Sequence, residues 1–480
     1  MWMKSNKEGD IPMKRDLTTG SPAKQILLFT IPFLIGNLFQ QFYNIADMVI
    51  VGRTIDSLAY AAVGSTGSLV WFASGAIQSL TVGFSAVTAR FVGAGDEERV
   101  KRSFAVAIKL SAVISVLMAI ACVLLARPML TLLRTPENLF EPAYQYVVWI
   151  FAGLVATALF NLLSNTIRAL GDSRTPLYFL IVACVVNIIL DIVFITAFRM
   201  GTAGAGLATV IAQLISGLLC ILYMRKKHPA LHLRRRHFSH DGIMNKDLLR
   251  IGIPMALLNM VLSIGSVIVQ FVTNGFGDLY VSAQVTGSKI ETFLTQPLLS
   301  FGSAVSVFAA QNHGAKKHQR ILDGSKKTML MCCAWCVIAA LILLPFGKFF
   351  IRLIAGASVD PIVVDYAYTY ILINTAMTFV LSALIVFKSV LQAVGRTTWS
   401  MVSGFTEIAG RGGVALLVVA LTSAAVVDQS IGFTIVCFSN PAAWLFGLLT
   451  VIADYCLMRA AFKRLAAEEA KENAEDAATA

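Results

Sequence analysis

Two carboxylates and one amide stand inside otherwise apolar stretches of this chain. Asp47 follows Asn44-Ile45-Ala46, and Asp191 closes Asn187-Ile188-Ile189-Leu190. A carboxylate near the centre of a bilayer costs ~2.5–3.5 kcal/mol on insertion scales, so such residues are functional candidates first. Asn187 and Asp191 are four residues apart and share one face of a helix. An amide oxygen stacked with a carboxylate can bind a hard cation or stabilise a proton. If Asp47 approaches them, the cluster holds two carboxylates that cannot both ionise cheaply, as a proton-coupled carrier requires. With Thr209 and backbone oxygens added, the same cluster offers oxygen ligands to Na⁺. The chemistry therefore admits H⁺ or Na⁺. The plain alternative is a carboxylate that caps a helix end or bonds a neighbouring helix, which explains one such residue better than three together.

The second half of the chain does not repeat these acids. The position equivalent to Asp47 falls at Val269 or Gln270, and that of Asp191 falls near Arg411. Glu407 lies four residues before Arg411, which reads as an intrahelical ion pair. Glu291 can face a central cavity and attract a cationic substrate, or pair with Lys289 or another helix. Lys388 reads as a side chain that snorkels towards the cytoplasm. Phe39, Tyr43, Met48, Met255 and Met260, with Gln270 and Glu291, are the candidate walls of a substrate cavity. Adaptable methionines and aromatic faces suit varied and cationic ligands, although lipid contact or helix packing explains any single one as well. Pro32 lies fifteen residues before Asp47 and can kink its helix, linking ion binding to movement.

The elements that must position these residues follow from composition. The chain has 480 residues, 57% hydrophobic and 14% charged, against a usual ~45–50% and ~25%, and its mean hydropathy is +0.74. That balance excludes soluble, disordered and disulfide-scaffold classes and predicts an all-α polytopic membrane protein. A spanning helix takes ~20 residues. Apolar length and breaker clusters place six spans between Lys24 and Met224 and six between Leu248 and Phe462. The second is expected over Asp56–Val92, the fourth over Glu137–Leu170 and the twelfth over Gln429–Phe462. The organisation is then a tail over 1–23, an N-lobe over 24–227, a basic linker over 228–247, a C-lobe over 248–464 and a tail over 465–480.

Charge placement sets orientation. With both termini placed inside, 29 of the 39 Lys and Arg residues fall on cytoplasmic segments. Six lie at the opposite ends: Arg53, Arg127, Arg134, Arg199, Lys348 and Arg352. This is the positive-inside bias. It accounts for the net charge of +12 without a nucleic-acid partner, and the Arg234–Arg236 cluster suits anionic headgroups. The N-terminus lacks the apolar core of a signal peptide. The eight cysteines lie in apolar stretches and read as packing residues. His228, His232, His237, His240, His313 and His318 sit near cytoplasmic ends and build no catalytic centre. No Walker motif points to ATP, and Gly204-x-Gly206 lacks the strand and third glycine of a dinucleotide fingerprint.

The halves repeat at an offset of about 222 residues. Ile31-Pro32 and Asn37 recur as Ile253-Pro254 and Asn259, Gly93-Ala94 as Gly314-Ala315, and Ala169 with Gly171 as Ala393 with Gly395. Six helices per half make the repeat parallel, which is a transporter architecture.

Several segments, in this order and spacing, resemble the multidrug and toxic compound extrusion (MATE) family of bacterial type. They are Gln40 to Asp47 with Val51-Gly52-Arg53, Arg168 to Asp172 before Thr175-Pro176, Asn187 to Asp191, Gly204 to Thr209, Gln311-Asn312 with Gly314-Ala315, and Leu391 to Arg396. The resemblance implies twelve helices in two lobes and an H⁺- or Na⁺-driven antiporter in the plasma membrane that exports bulky, often cationic, organic compounds. It implies no enzyme activity and no cofactor beyond the coupling ion, with Asp47, Asn187, Asp191 and Thr209 as the ion site. Other members use acids on helices seven and ten, which this chain lacks at mid-span. The partners expected are drug-like small molecules and the lipid bilayer, with the chain acting as a monomer. The alternative is a lipid-linked saccharide flippase of the wider superfamily, which would want a cleft richer in Arg and Lys.

Overall fold

The computed structural model describes residues 16–133, 135–227, 231–239, 241–356 and 359–479. The tail residues Met1–Arg15, together with Arg134, His228 and His240, lie outside the described residues. The described residues are helical, without strands. A backbone in hydrocarbon must satisfy its own hydrogen bonds, and helices do so within one segment.

The first half runs through α1 (Pro22–Thr54), α2 (Ser57–Ser65), α3 (Gly67–Gly93), α4 (Glu97–Leu132), α5 (Glu137–Ala152), α6 (Leu154–Ala169), α7 (Arg174–Ile192) and α8 (Gly201–Lys227). The second half runs through α9 (Gly242–Asn274), α10 (Asp278–Gly314), α11 (His318–Ala355), α12 (Pro361–Ala393), α13 (Thr398–Ser423), α14 (Gln429–Val436) and α15 (Ser439–Thr479). Among the described residues, eleven helices are long and apolar enough to cross a membrane, and α5 with α6 forms a twelfth crossing bent by 47°. Each half thus contributes six. Pro32, Pro254 and Pro297 all lie inside their helices.

Local chemistry sets the breaks. The second expected span divides at Thr66. There Ser65 and Thr66 turn their hydroxyls onto the carbonyls of Ala62 and Val63, both at 2.7 Å, competing with the helix ladder. The bend between α5 and α6 falls at Gly153, where a Cβ would stand 2.1 Å from Val210 of α8. Asp56 starts α2 by accepting from the Ala59 amide at 2.6 Å, and Asp96 caps α4 through the Arg99 amide at 3.0 Å. The helix ends repeat between halves. Gly171 (φ +86°) and Gly395 (φ +84°) both close their helices in the left-handed region, with Asp172 and Arg396 amides reaching back to Ile167 and Leu391 carbonyls.

Contact density divides the chain into two units. Among the described residues, the first takes those up to Gly20, then Leu28–Met260 and Ala310–Lys316; the second takes Ser21–Leu27, Val261–Ala309 and Lys317 onward. The start of α9 belongs to the first unit because Leu248 and Ile251 pack with Leu80, Phe84 and Val87. Glycines allow the backbones to meet. A Cβ on Gly93 would lie 1.8 Å from the Gln311 carbonyl, and one on Gly314 would lie 1.7 Å from that of Arg90. The N-terminal segment is stitched in beside them. The amide of the fully buried Leu17 donates to Gln311 Oε1 at 3.3 Å, and Asn312 Nδ2 donates to the Leu17 carbonyl at 3.2 Å.

The linker packs down rather than hanging free over its described part. A 3₁₀ turn spans Arg235–Phe238, Arg236 reaches Glu98 at 3.2 Å, and Lys109 donates to the Phe238 carbonyl at 2.8 Å.

Candidate functional site

In the first unit, α1, α7 and α8 bring the four candidate ion ligands together. Asp47 is 5% exposed, Asn187 and Asp191 are fully buried, and Thr209 is 8% exposed. The Asp47 and Asp191 carboxyls lie close enough for the charge of one to act on the other. Asn187 Nδ2 donates to Thr209 Oγ1 at 3.4 Å, and the Tyr43 hydroxyl donates to the same oxygen at 3.0 Å. The Tyr146 hydroxyl reaches Asp47 Oδ2 at 3.4 Å. Asp47 Oδ1, Asn187 Oδ1 and both Asp191 oxygens have no hydrogen-bond partner. Buried oxygens without partners are costly unless something positive meets them. A set made of carboxylate, amide and hydroxyl oxygens fits a proton or a hard monovalent cation, and offers nothing to a soft metal.

The surrounding chain explains this geometry. Gly206 of α8 lets the helix settle onto α5, since a Cβ there would sit 2.8 Å from the Tyr146 carbonyl. That contact lies three residues before Thr209 and sets Tyr146 beside the cluster. Val51, Ala59, Val63, Ile150, Ile195 and Ala205 pack around Tyr146 and seal it. A π-helical turn, Val193–Ala197, begins two residues after Asp191; such turns recur at functional positions. Tyr146 was not legible as a site residue, because a tyrosine in an apolar helix reads equally well as packing. The usable signal is the hydroxyl, which needs a partner when buried.

The remaining candidates separate. Phe39 is 38% exposed. Met48 packs beside the Tyr146 cluster, and Met255 packs beside Leu248 and Ile251. Met260 is half-buried in the first unit. Gln270 and Glu291 line one cavity of about 340 Å³ in the second unit. Glu291 does not pair with Lys289, since residues two apart on a helix do not face each other. It accepts instead from the Tyr370 hydroxyl and from Asn440 Nδ2 at 3.2 Å. The expected Glu407–Arg411 pair is also not made. Glu407 bonds Lys388 Nζ at 2.5 Å, with both side chains mostly buried. Lys388 therefore turns inward to a partner on α13 rather than out towards headgroups, since pairing across helices relieves two buried charges at once. Arg411 reaches the Leu262 carbonyl at 3.3 Å.

The MatE family profile matches residues 32–193 and 254–409, both halves of the repeat. The chain belongs to the MatE family. A probable multidrug resistance protein, YpnP of Bacillus subtilis, is 29% identical over 339 residues, which are 70% of this chain and 76% of that protein. A protein described as an FAD transporter, from Shewanella oneidensis, is 25% identical over 80% of this chain and 85% of its own. Among solved structures, the Vibrio cholerae MATE transporter VcmN in its bent form shares the fold. It matches with a TM-score of 0.81 at 22% identity, covering 94% of this chain and 100% of that one. The MatE assignment makes this chain a multi-pass membrane transporter rather than an enzyme.

Proposed function

We propose that this transporter is an antiporter that couples entry of H⁺ or Na⁺ to export of bulky, often cationic, organic compounds across the plasma membrane. Substrate enters from the cytoplasm and leaves outward. The external ion then binds at Asp47, Asn187, Asp191 and Thr209 and resets two six-helix lobes, residues 24–227 and 248–464. Pro32 serves as the hinge of the first helix. Phe39, Tyr43, Met48, Met255 and Met260 supply walls for substrate in the first unit, with Tyr43 also joined to the ion cluster through Thr209, and Gln270 and Glu291 line the chamber of the second. The chain acts as a monomer with both termini cytoplasmic, as the Lys and Arg bias supports, and Arg234 and Arg235 face anionic headgroups. The multidrug names of the relatives support the substrate class.

The observation that carries this reading is the buried cluster itself, with four carboxylate and amide oxygens lacking a donor. A transporter gains from such a cluster only if an ion comes and goes. In cells loaded with a fluorescent organic cation, Asp47→Asn and Asp191→Asn should each abolish ionophore-sensitive efflux while membrane insertion stays normal. Unimpaired efflux in both variants removes the mechanism.

A further inference from the structure

The second unit contains a polar chamber that the ion site does not explain. It is the cavity of about 340 Å³ between α9, α10, α12, α13 and the start of α15. Its lining carries two charged side chains of opposite sign, Glu291 and Arg411. They make no direct ion pair with each other, although the charge of Arg411 acts on Glu291. Tyr370 and Asn440 donate to the Glu291 carboxylate and solvate it in place of water. Arg411 spends Nη1 on the Leu262 carbonyl at 3.3 Å and on Ser266 Oγ at 3.5 Å, while its Nε has no partner. Two further lining atoms also lack partners: Gln284 Oε1, on a side chain 9% exposed, and Ser439 Oγ, 1% exposed. These are built polar positions that hold nothing of the protein's own.

A chamber with one carboxylate and one guanidinium discriminates by charge. A simple cation satisfies Glu291 and is repelled by Arg411; a simple anion does the reverse. A solute bearing both charges satisfies both, and each charge then avoids burial without a counter-charge. A volume near the lower end of ligand sites limits the solute to small dimensions. We propose that this chamber binds a small zwitterion, its cationic group at Glu291 and Tyr370 and its carboxylate at Arg411, with Gln284 and Ser439 completing its hydrogen bonds. This site is additional to the ion cluster and rests on the transporter reading only for its purpose.

The test is equilibrium binding to the purified full-length protein, with no ion gradient, using three probes of one shape. They are L-carnitine, its methyl ester, which lacks the negative charge, and 3-hydroxy-5,5-dimethylhexanoate, which lacks the positive charge. L-Carnitine should bind about tenfold or more tightly than either. Arg411→Gln should erase the preference over the ester, and Glu291→Gln should erase the preference over the carbon isostere. Equal binding of the three probes by the wild-type protein, or no binding of L-carnitine at millimolar concentration, overturns the proposal without recourse to any variant. Failure here leaves ion-coupled efflux standing, and loss of Asp47-dependent efflux as a mechanism leaves this binding test standing.

Discussion

Asp47 and Asp191 are badly served as buried groups. Their neighbours supply a tyrosine hydroxyl to one oxygen of Asp47 and nothing to Asp191. Lys388 and Glu407 are the contrasting pair, since each neutralises the other. Breaking one partner of a buried pair costs ~3–5 kcal/mol, whereas replacing both by apolar groups is often neutral. Lys388→Met alone should therefore lower the thermal unfolding temperature sharply, and Lys388→Met with Glu407→Leu should recover most of it. Equal destabilisation by the single and double variants would contradict an orphaned buried charge as the cause of the loss. The sequence made the acids legible, because a carboxylate in an apolar run is conspicuous. Their partners were less so. Glu407 has a basic residue four positions on, yet it bonds Lys388 from another helix, and no local pattern reports which helices meet.

Elements are held here by glycine contacts and by short anchored connections. Gly93 and Gly314 sit where backbone meets backbone. Gly93→Ala would drive a Cβ into the Gln311 carbonyl and should cost about 1–3 kcal/mol by overpacking. At Gly413, inside α13, an added Cβ meets nothing within 4 Å, so Gly413→Ala should be neutral or stabilise by ~0.5–1 kcal/mol. Thermal unfolding of the two variants side by side checks the contrast. The linker turn carries a pH dependence. His237 Nδ1 accepts from the Arg234 amide at 2.9 Å, which suits the neutral ring, and Nε2 lies 3.3 Å from Arg236 Nε and 3.5 Å from Glu98. Burial lowers the His237 pKa; Glu98 opposes that, while Arg236 and Lys101 add to it. A lowered histidine pKa means that the unfolded chain takes up the proton first. The stabilisation is thus present above the ordinary value of 6.5 and is lost as pH falls towards the folded-state value. The stability advantage of the wild type over His237→Gln should shrink between pH 7 and pH 5. An advantage that holds or grows with acid would contradict it. Hydropathy located the spans, but the bend at Gly153 was hidden, since a glycine in an apolar run marks a close contact only once Val210 is seen against it.

At the scale of the whole molecule, the two halves share their scaffold and differ in their chemistry. Gly171 and Gly395 end equivalent helices in the same conformation, and each half supplies six crossings. The acids at Asp47 and Asp191 have no counterparts at Gln270 and Arg411, so the ion coupling proposed above falls in one half. The repeat was readable because it preserves helix ends and backbone contacts. The difference in function was readable only as a missing charge.

The central claim is that substrate moves only against an ion bound at Asp47 and Asp191. It is tested most directly in proteoliposomes loaded with an organic cation, with pH and Na⁺ gradients imposed separately. One of the two gradients should drive transport, with a counterflux of that ion that vanishes in Asp47→Asn and in Asp191→Asn. Transport indifferent to both gradients, or an ion counterflux that survives both substitutions, would contradict it.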